Sequence, residues 1–150
     1  MPDPKKPEPA ARPTLVGIGI IRRADRYLIR ARPEGTVYAG YWEFPGGKVE
    51  PGETPAQTTV RECLEETGLR VSVRAPRATI EHVYPHGWVR LHFFDCEPTD
   101  PKAEPTPEHG CRWVAAGELS RYRFPEANEE ILAQLAGEAR SADGPKTESG

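Results

Sequence analysis

At 150 residues the chain has room for one domain, large enough to bury most of its apolar surface without staples. Its 20 Lys and Arg against 23 Asp and Glu give a net charge of −3, which argues against the broad basic surface of a nucleic-acid binder. Three cysteines, Cys63, Cys96 and Cys111, are an odd number with no C-x-x-C pair, which argues against a disulfide framework or zinc site; reduced thiols in a cytoplasmic setting are expected.

Met1 to Pro13 is rich in proline and charge, lacks the apolar stretch of a signal peptide, and reads as a disordered lead-in. Leu15 to Ile21 is apolar and β-branched, and Arg22 to Asp25 turns the chain into a second strand, Arg26 to Ala31. Phe44 to Glu53 is a turn-rich loop whose glycines let backbone amides or carbonyls approach a ligand closely. A helix follows. Thr54 is its N-cap, Pro55 fits the first position, Gln57 completes a capping box, and Gly68 stands where a helix ends. Ala56, Val60, Cys63 and Leu64 are expected on its core-facing side. Further strands are expected at Val71 to Val73, Ala78 to Tyr84, Trp88 to Cys96 and Cys111 to Ala115, with Pro85-His86-Gly87 as a hairpin turn. A second helix is expected from Glu126 to Ala136, where Ile131, Leu132 and Leu135 share a face. The end of the chain is poor in hydrophobes, so the organisation reads as a lead-in (1–13), one domain (14–137) and a disordered tail (138–150). No apolar run approaches ~20 residues, so no membrane span is expected. Strands and helices mixed in this order place the chain in the α/β class, a sheet with helices packed on it.

Three carboxylates, Glu62, Glu65 and Glu66, fall on one helix face at spacings of three and four residues. Like charges so placed repel, and a hard divalent cation bound through oxygen ligands is the usual answer. Taken alone, such glutamates are usually a solvated face. The glycine loop, Arg61 and the helix caps around them favour a metal site. The four histidines, His82, His86, His92 and His109, have no metal-pair spacing on a helix and read as structural or surface residues. Tyr84 and Trp88 read as core or turn packing.

The segment Gly47 to Leu69 resembles the box of the Nudix family, G-x5-E-x7-R-E-U-x-E-E-x-G-U with U a bulky aliphatic residue, at Gly47, Glu53, Arg61, Glu62, Glu65, Glu66, Gly68 and Leu69. Cys63 stands where the pattern has its first aliphatic residue. The likeness extends in pieces from Leu15 to Leu135 toward the MutT-like branch, through Trp42 to Lys48 and Phe124 to Asn128. It implies the Nudix fold, a mixed β-sheet sandwiched between α-helices. It also implies hydrolysis of a nucleoside triphosphate to the monophosphate and pyrophosphate, with 8-oxo-dGTP as substrate and protection of DNA as the purpose. A pyrimidine triphosphate such as (d)CTP, or another nucleoside diphosphate derivative, is the alternative substrate. A non-catalytic nucleotide-sensing module is the alternative class, and such modules typically lose box glutamates, all of which stand here.

By this resemblance Glu62, Glu65, Glu66 and the Gly47 carbonyl hold Mg2+, with Mn2+ as a substitute. Mg2+ suits carboxylates and substrate phosphates. Glu108 lies in the loop where MutT-like proteins carry an additional glutamate, as a further ligand or as general base. Glu53 and Glu62 compete with it for the second role. Arg61 either orients a carboxylate or forms an ordinary surface pair. Arg32, Phe44 and Asn128 match nucleotide-contacting positions. Asn128 offers an amide donor and acceptor to a purine edge, or else a turn contact, and Phe44 stacks on a base or fills the core. Gly87 departs from the branch, which carries a nucleotide-contacting arginine at that turn. The expected partner is a nucleotide substrate, without stable nucleic-acid binding or membrane association; oligomeric state is left open.

Overall fold

The computed structural model describes residues 12–85 and 87–143. Most of the expected lead-in, the end of the expected tail and His86 lie outside the described residues. Seven strands form one mixed sheet: β1 (Thr14–Arg23), β2 (Arg26–Ala31), β3 (Trp42–Glu43), β4 (Gly46–Lys48), β5 (Val71–Tyr84), β6 (Gly87–Pro98) and β7 (Cys111–Ala115). The order is β3-β2-β1-β6-β5, with β4 also paired to β1 and β7 to β2. The β1–β6 pair is parallel and the other pairs are antiparallel.

Alternation along the strands separates two cores. Ile20, Tyr27, Ile29 and Phe93 face one side, where they meet Ile131 and Leu135 of α2 (Glu129–Asp143). Ile21, Leu28 and Cys96 face the other, where they meet Cys63 of α1 (Pro55–Thr67). Successive strand residues point to opposite faces, so a sheet with a helix on each side is the arrangement that buries both sets. This is the mixed α/β sandwich expected from the sequence.

Helix α1 is built as its caps foretell. Thr54 Oγ1 accepts from the Gln57 amide at 3.1 Å, and Gln57 Oε1 accepts from the Thr54 amide at 2.9 Å. Gly68 closes the helix at φ 80°, in the left-handed region, and donates its N–H to Leu64 O at 2.9 Å. Its packed face differs from expectation. Val60 and Leu64 are each 37% exposed, whereas Thr58, Thr59, Cys63 and Thr67 are fully buried. The reason lies in β1. A Cβ on Gly17 would sit 2.7 Å from Thr59 Oγ1, and one on Gly19 would sit 2.7 Å from Cys63 Sγ. The helix therefore lies too close to the strand for bulky aliphatic side chains. The buried hydroxyls are satisfied locally: Thr59 donates to Pro55 O at 2.9 Å and Thr67 to Cys63 O at 2.6 Å.

Other boundaries shift for identifiable reasons. The two strands expected at 71–73 and 78–84 are one strand, β5, whose pairing slips between Val73 and Ala75 and between Pro76 and Ala78. Those irregularities accommodate Pro76, which has no N–H for the ladder. The second helix begins with a 3-10 turn at Glu126–Asn128 before α2 proper. Helix α2 continues past Gly137, the expected end of the domain, to Asp143, with Arg77 bound to Glu138 at 2.8 and 3.0 Å.

Candidate active site

The loop that carries β4 and the first turns of α1 lies against β1, and this brings the box residues together. Arg61 is the centre of one cluster. Its Nε and Nη2 donate to the two oxygens of Glu53 at 2.6 and 3.0 Å, the fork-to-fork geometry that suits guanidinium and carboxylate. Its Nη1 reaches Glu62 at 2.9 Å and Glu65 at 3.3 Å, and Nη2 also donates to Lys48 O at 3.3 Å. Glu53 is held further by the Glu50 amide (3.0 Å) and Thr58 Oγ1 (2.7 Å). These donors, Arg61 first, lower its pKa to about 2.

Glu66 belongs to a second cluster. Its Oε1 accepts from the Gly46 amide at 2.9 Å and its Oε2 lies 3.3 Å from Arg30 Nη1. Arg30 also binds Glu43 at 2.8 Å, and Glu43 binds Arg32 at 2.8 Å. Burial is the main cause that raises Glu66 to about 7, and nearby Glu43 and Glu62 add to it. Glu62 is likewise raised above the usual carboxylate range, chiefly by burial. Its carboxyl group presses on Gly47: a Cβ there would lie 2.7 Å from either Glu62 oxygen. Only glycine leaves room for that carboxylate.

The three glutamates thus share one helix face, yet among the described residues no three His, Cys, Asp or Glu side chains gather as a metal-binding cluster. Mutual repulsion is relieved by Arg61 and Arg30 instead. The donor set still suits a hard cation. It consists of carboxylate oxygens, two of them on groups that burial makes costly to ionise without a positive partner, beside a glycine cradle. Glu108 is not brought into either cluster; it is exposed on a 3-10 turn, Pro107–His109, without an ion pair among the described residues. The described histidines also stand apart: His82 edges onto the Tyr84 ring, and His92 lies by Thr79 and Phe94.

A cleft of about 630 Å³ opens beside the second cluster. Arg32, Phe44 and Asn128, separate in sequence, all line it, together with Glu43, Gly46 and Lys48. Phe44 is only 4% exposed and packs on Phe124 at 5.0 Å, so it serves as cleft floor and core at once. The Asn128 amide donates to Pro125 O at 3.2 Å, the turn contact; its second N–H and its carbonyl oxygen are not used in that bond. Arg32 spends its guanidinium on Glu43 and on Val37 O. Sequence reasoning missed Arg30 and Glu43, the pair that links cleft to box. Arg30 near the end of β2 and Arg32 just beyond it, a spacing that places both on one side of an extended chain, are the available signal.

The sequence matches the NUDIX domain family over residues 17–134. It is 33% identical over 123 residues to an 8-oxo-dGTP diphosphatase of Escherichia coli, covering 80% of this chain and 94% of the relative. The chain belongs to the Nudix hydrolase family. A CTP pyrophosphohydrolase of Escherichia coli is also similar, 30% identical over 113 residues, covering 75% of this chain and 84% of that protein. Among solved structures, that of the Escherichia coli ORF135 protein superposes with a TM-score of 0.71 at 29% identity, covering 89% of this chain and 94% of that one. The protein is a MutT-like Nudix hydrolase, and hydrolases of its family use divalent metals. No helix among the described residues is long and apolar enough to cross a membrane.

Proposed function

We propose that this Nudix hydrolase converts a nucleoside triphosphate to its monophosphate and pyrophosphate, with Mg2+ as metal and 8-oxo-dGTP as preferred substrate. One observation carries the reading: Arg32, Phe44 and Asn128 line a single cleft, whose wall includes Gly46, an amide donor to Glu66, and Glu43, joined to Glu66 through Arg30. A nucleotide with its base by Asn128 and its phosphates toward the α1 glutamates would span both regions. Glu62, Glu65, Glu66 and the Gly47 carbonyl are the groups to hold the cation, which when bound offsets phosphate charge and makes a coordinated water more acidic.

The chain's own residues divide the rest of the work. Arg61 holds Glu62 and Glu65 on the shared face and is itself fixed by Glu53. Both Glu53 oxygens are engaged and its pKa is low, which suits an anchor rather than a base. Glu108 is exposed and unattached to the network. Of the three candidate bases, Glu62 alone stands on the glutamate face of α1, against Gly47. Asn128 has an amide N–H and a carbonyl oxygen to offer a purine edge.

Similarity to a CTP pyrophosphohydrolase, with Gly87 at the turn, supports a second reading in which the same chemistry acts on a pyrimidine triphosphate. A cytoplasmic setting is part of the proposal, supported by three free cysteines. The test is a panel with Mg2+: common nucleoside triphosphates, 8-oxo-dGTP, ADP-ribose and a dinucleoside polyphosphate, with products identified. Release of pyrophosphate and a monophosphate, fastest from 8-oxo-dGTP, is expected. Nucleotide binding without turnover would favour the sensing-module alternative.

A further inference from the structure

The loop from Pro33 to Tyr41 stands on the rim of the cleft, and it shows two features at odds with a mere connection. Tyr38 adopts φ 65°, the left-handed region where a tyrosine is strained and a glycine is not. Tyr38 is also 43% exposed, next to Val37 at 74%, though both residues line the cleft. Neither feature favours the fold.

The loop is nevertheless braced. Arg32 Nε and Nη2 both donate to Val37 O, at 3.2 and 3.0 Å, and the Arg32 amide donates to Tyr41 O at 2.8 Å. The Tyr41 amide donates to Tyr38 O at 2.9 Å, and the Tyr41 ring lies under the Arg123 guanidinium at 4.5 Å. The Tyr38 ring leans edge-on against Tyr41 at 5.1 Å. A side chain held at a cavity rim by such bracing, in a backbone state that costs free energy, is set for contact with something in the cavity. The cavity itself fits a flat aromatic ring: Phe44 forms its floor, Val16, Ile18 and Leu91 its apolar wall, and Tyr84 lines it too.

We propose that Tyr38 is a substrate-binding residue that stacks on the nucleobase of the substrate and closes the cleft over it. This rests on the nucleotide-hydrolase reading above. Stacking is tolerant of base identity, so Tyr38 supplies affinity for any base while Asn128 discriminates.

The experiment compares wild type, Tyr38→Phe and Tyr38→Gly by thermal unfolding, by steady-state kinetics on the best triphosphate, and by calorimetric binding of the corresponding monophosphate. Tyr38→Gly is expected to keep or raise the melting temperature, because it relieves the strained φ. It should raise both KM and the monophosphate Kd by ~5- to 100-fold, the range of one base–aromatic stack, with kcat nearly unchanged. Tyr38→Phe should bind like wild type, and inhibition by inorganic pyrophosphate should be the same in all three. Wild-type KM and Kd in Tyr38→Gly would overturn the proposal, as would an equal weakening of pyrophosphate. The monophosphate Kd needs no turnover, so an inactive wild type would count against the hydrolase reading and leave this test standing.

Discussion

The charged face of α1 and the neighbouring cleft are built on different plans. The face comes from one helix and the loop before it, and nearly every charge on it is answered at hydrogen-bond distance: Arg61 by Glu53, Glu62 and Glu65, Glu66 by Arg30 and the Gly46 amide. The cleft draws on β1, the loop after β2, β3, β4, β5, β6 and the turn before α2, and its lining is largely apolar. In the proposed function, charge chemistry takes the fixed spacings of a rigid element, whereas base selection falls to loops and side chains that the sheet positions.

That contrast can be broken by substitution. Glu66→Gln and Glu65→Gln keep size and remove a charged oxygen, and each is expected to lower kcat by at least ~100-fold without a matching rise in KM. Pyrophosphate release in the presence and absence of EDTA measures it; wild-type turnover with the metal chelated would refute a metal-dependent face. A cleft residue should behave in the opposite way. Asn128→Ala leaves a purine edge unpaired, a loss of ~1–3 kcal/mol that appears as a rise of about one to two orders of magnitude in KM. The effect should be confined to the favoured purine. An equal rise for a pyrimidine triphosphate would reduce Asn128 to its Pro125 turn contact.

Two smaller effects sharpen the boundary between scaffold and site. Gly19→Ala drives a methyl group into Cys63 beneath the face, and ~1–3 kcal/mol of stability should be lost in urea unfolding while KM is kept. Smallest is the acid limb of stability. Glu53 is lowered from 4.5 to about 2, so the folded chain binds fewer protons than the unfolded one in that window. The stabilisation from the Arg61 pair is present above pH 4.5 and is lost as pH falls toward 2. Glu53→Gln should flatten that limb, and an unchanged pH profile would show the pair to be neutral.

The helix and its face were legible because caps, spacing and charge coincide within one segment. Thr54, Pro55, Gln57 and Gly68 all take the places their chemistry dictates. The packed side of α1 was not legible, because Val60 and Leu64 look like core residues until Gly17 and Gly19 are known to lie opposite. Strand β4 falls inside the expected loop Phe44 to Glu53, and β3 has no counterpart among the expected strands, since two or three residues carry no period. Arg30 and Glu43 were missed for a related reason: their pairing is a property of the β2–β3 register. The sharing of one cleft by Arg32, Phe44 and Asn128 was expected only through resemblance, since contacts between distant segments have no local signature.

The central claim is that one nucleotide occupies both regions, phosphates on the α1 face and base in the cleft. Paramagnetic relaxation by Mn2+ of a non-hydrolysable nucleoside triphosphate bound to the full chain tests it most directly. The account predicts strong relaxation of the phosphorus nuclei, much weaker relaxation of the base protons, and loss of the phosphorus effect in Glu66→Gln. Base protons relaxed as strongly as phosphorus, or a phosphorus effect that survives Glu66→Gln, would contradict it.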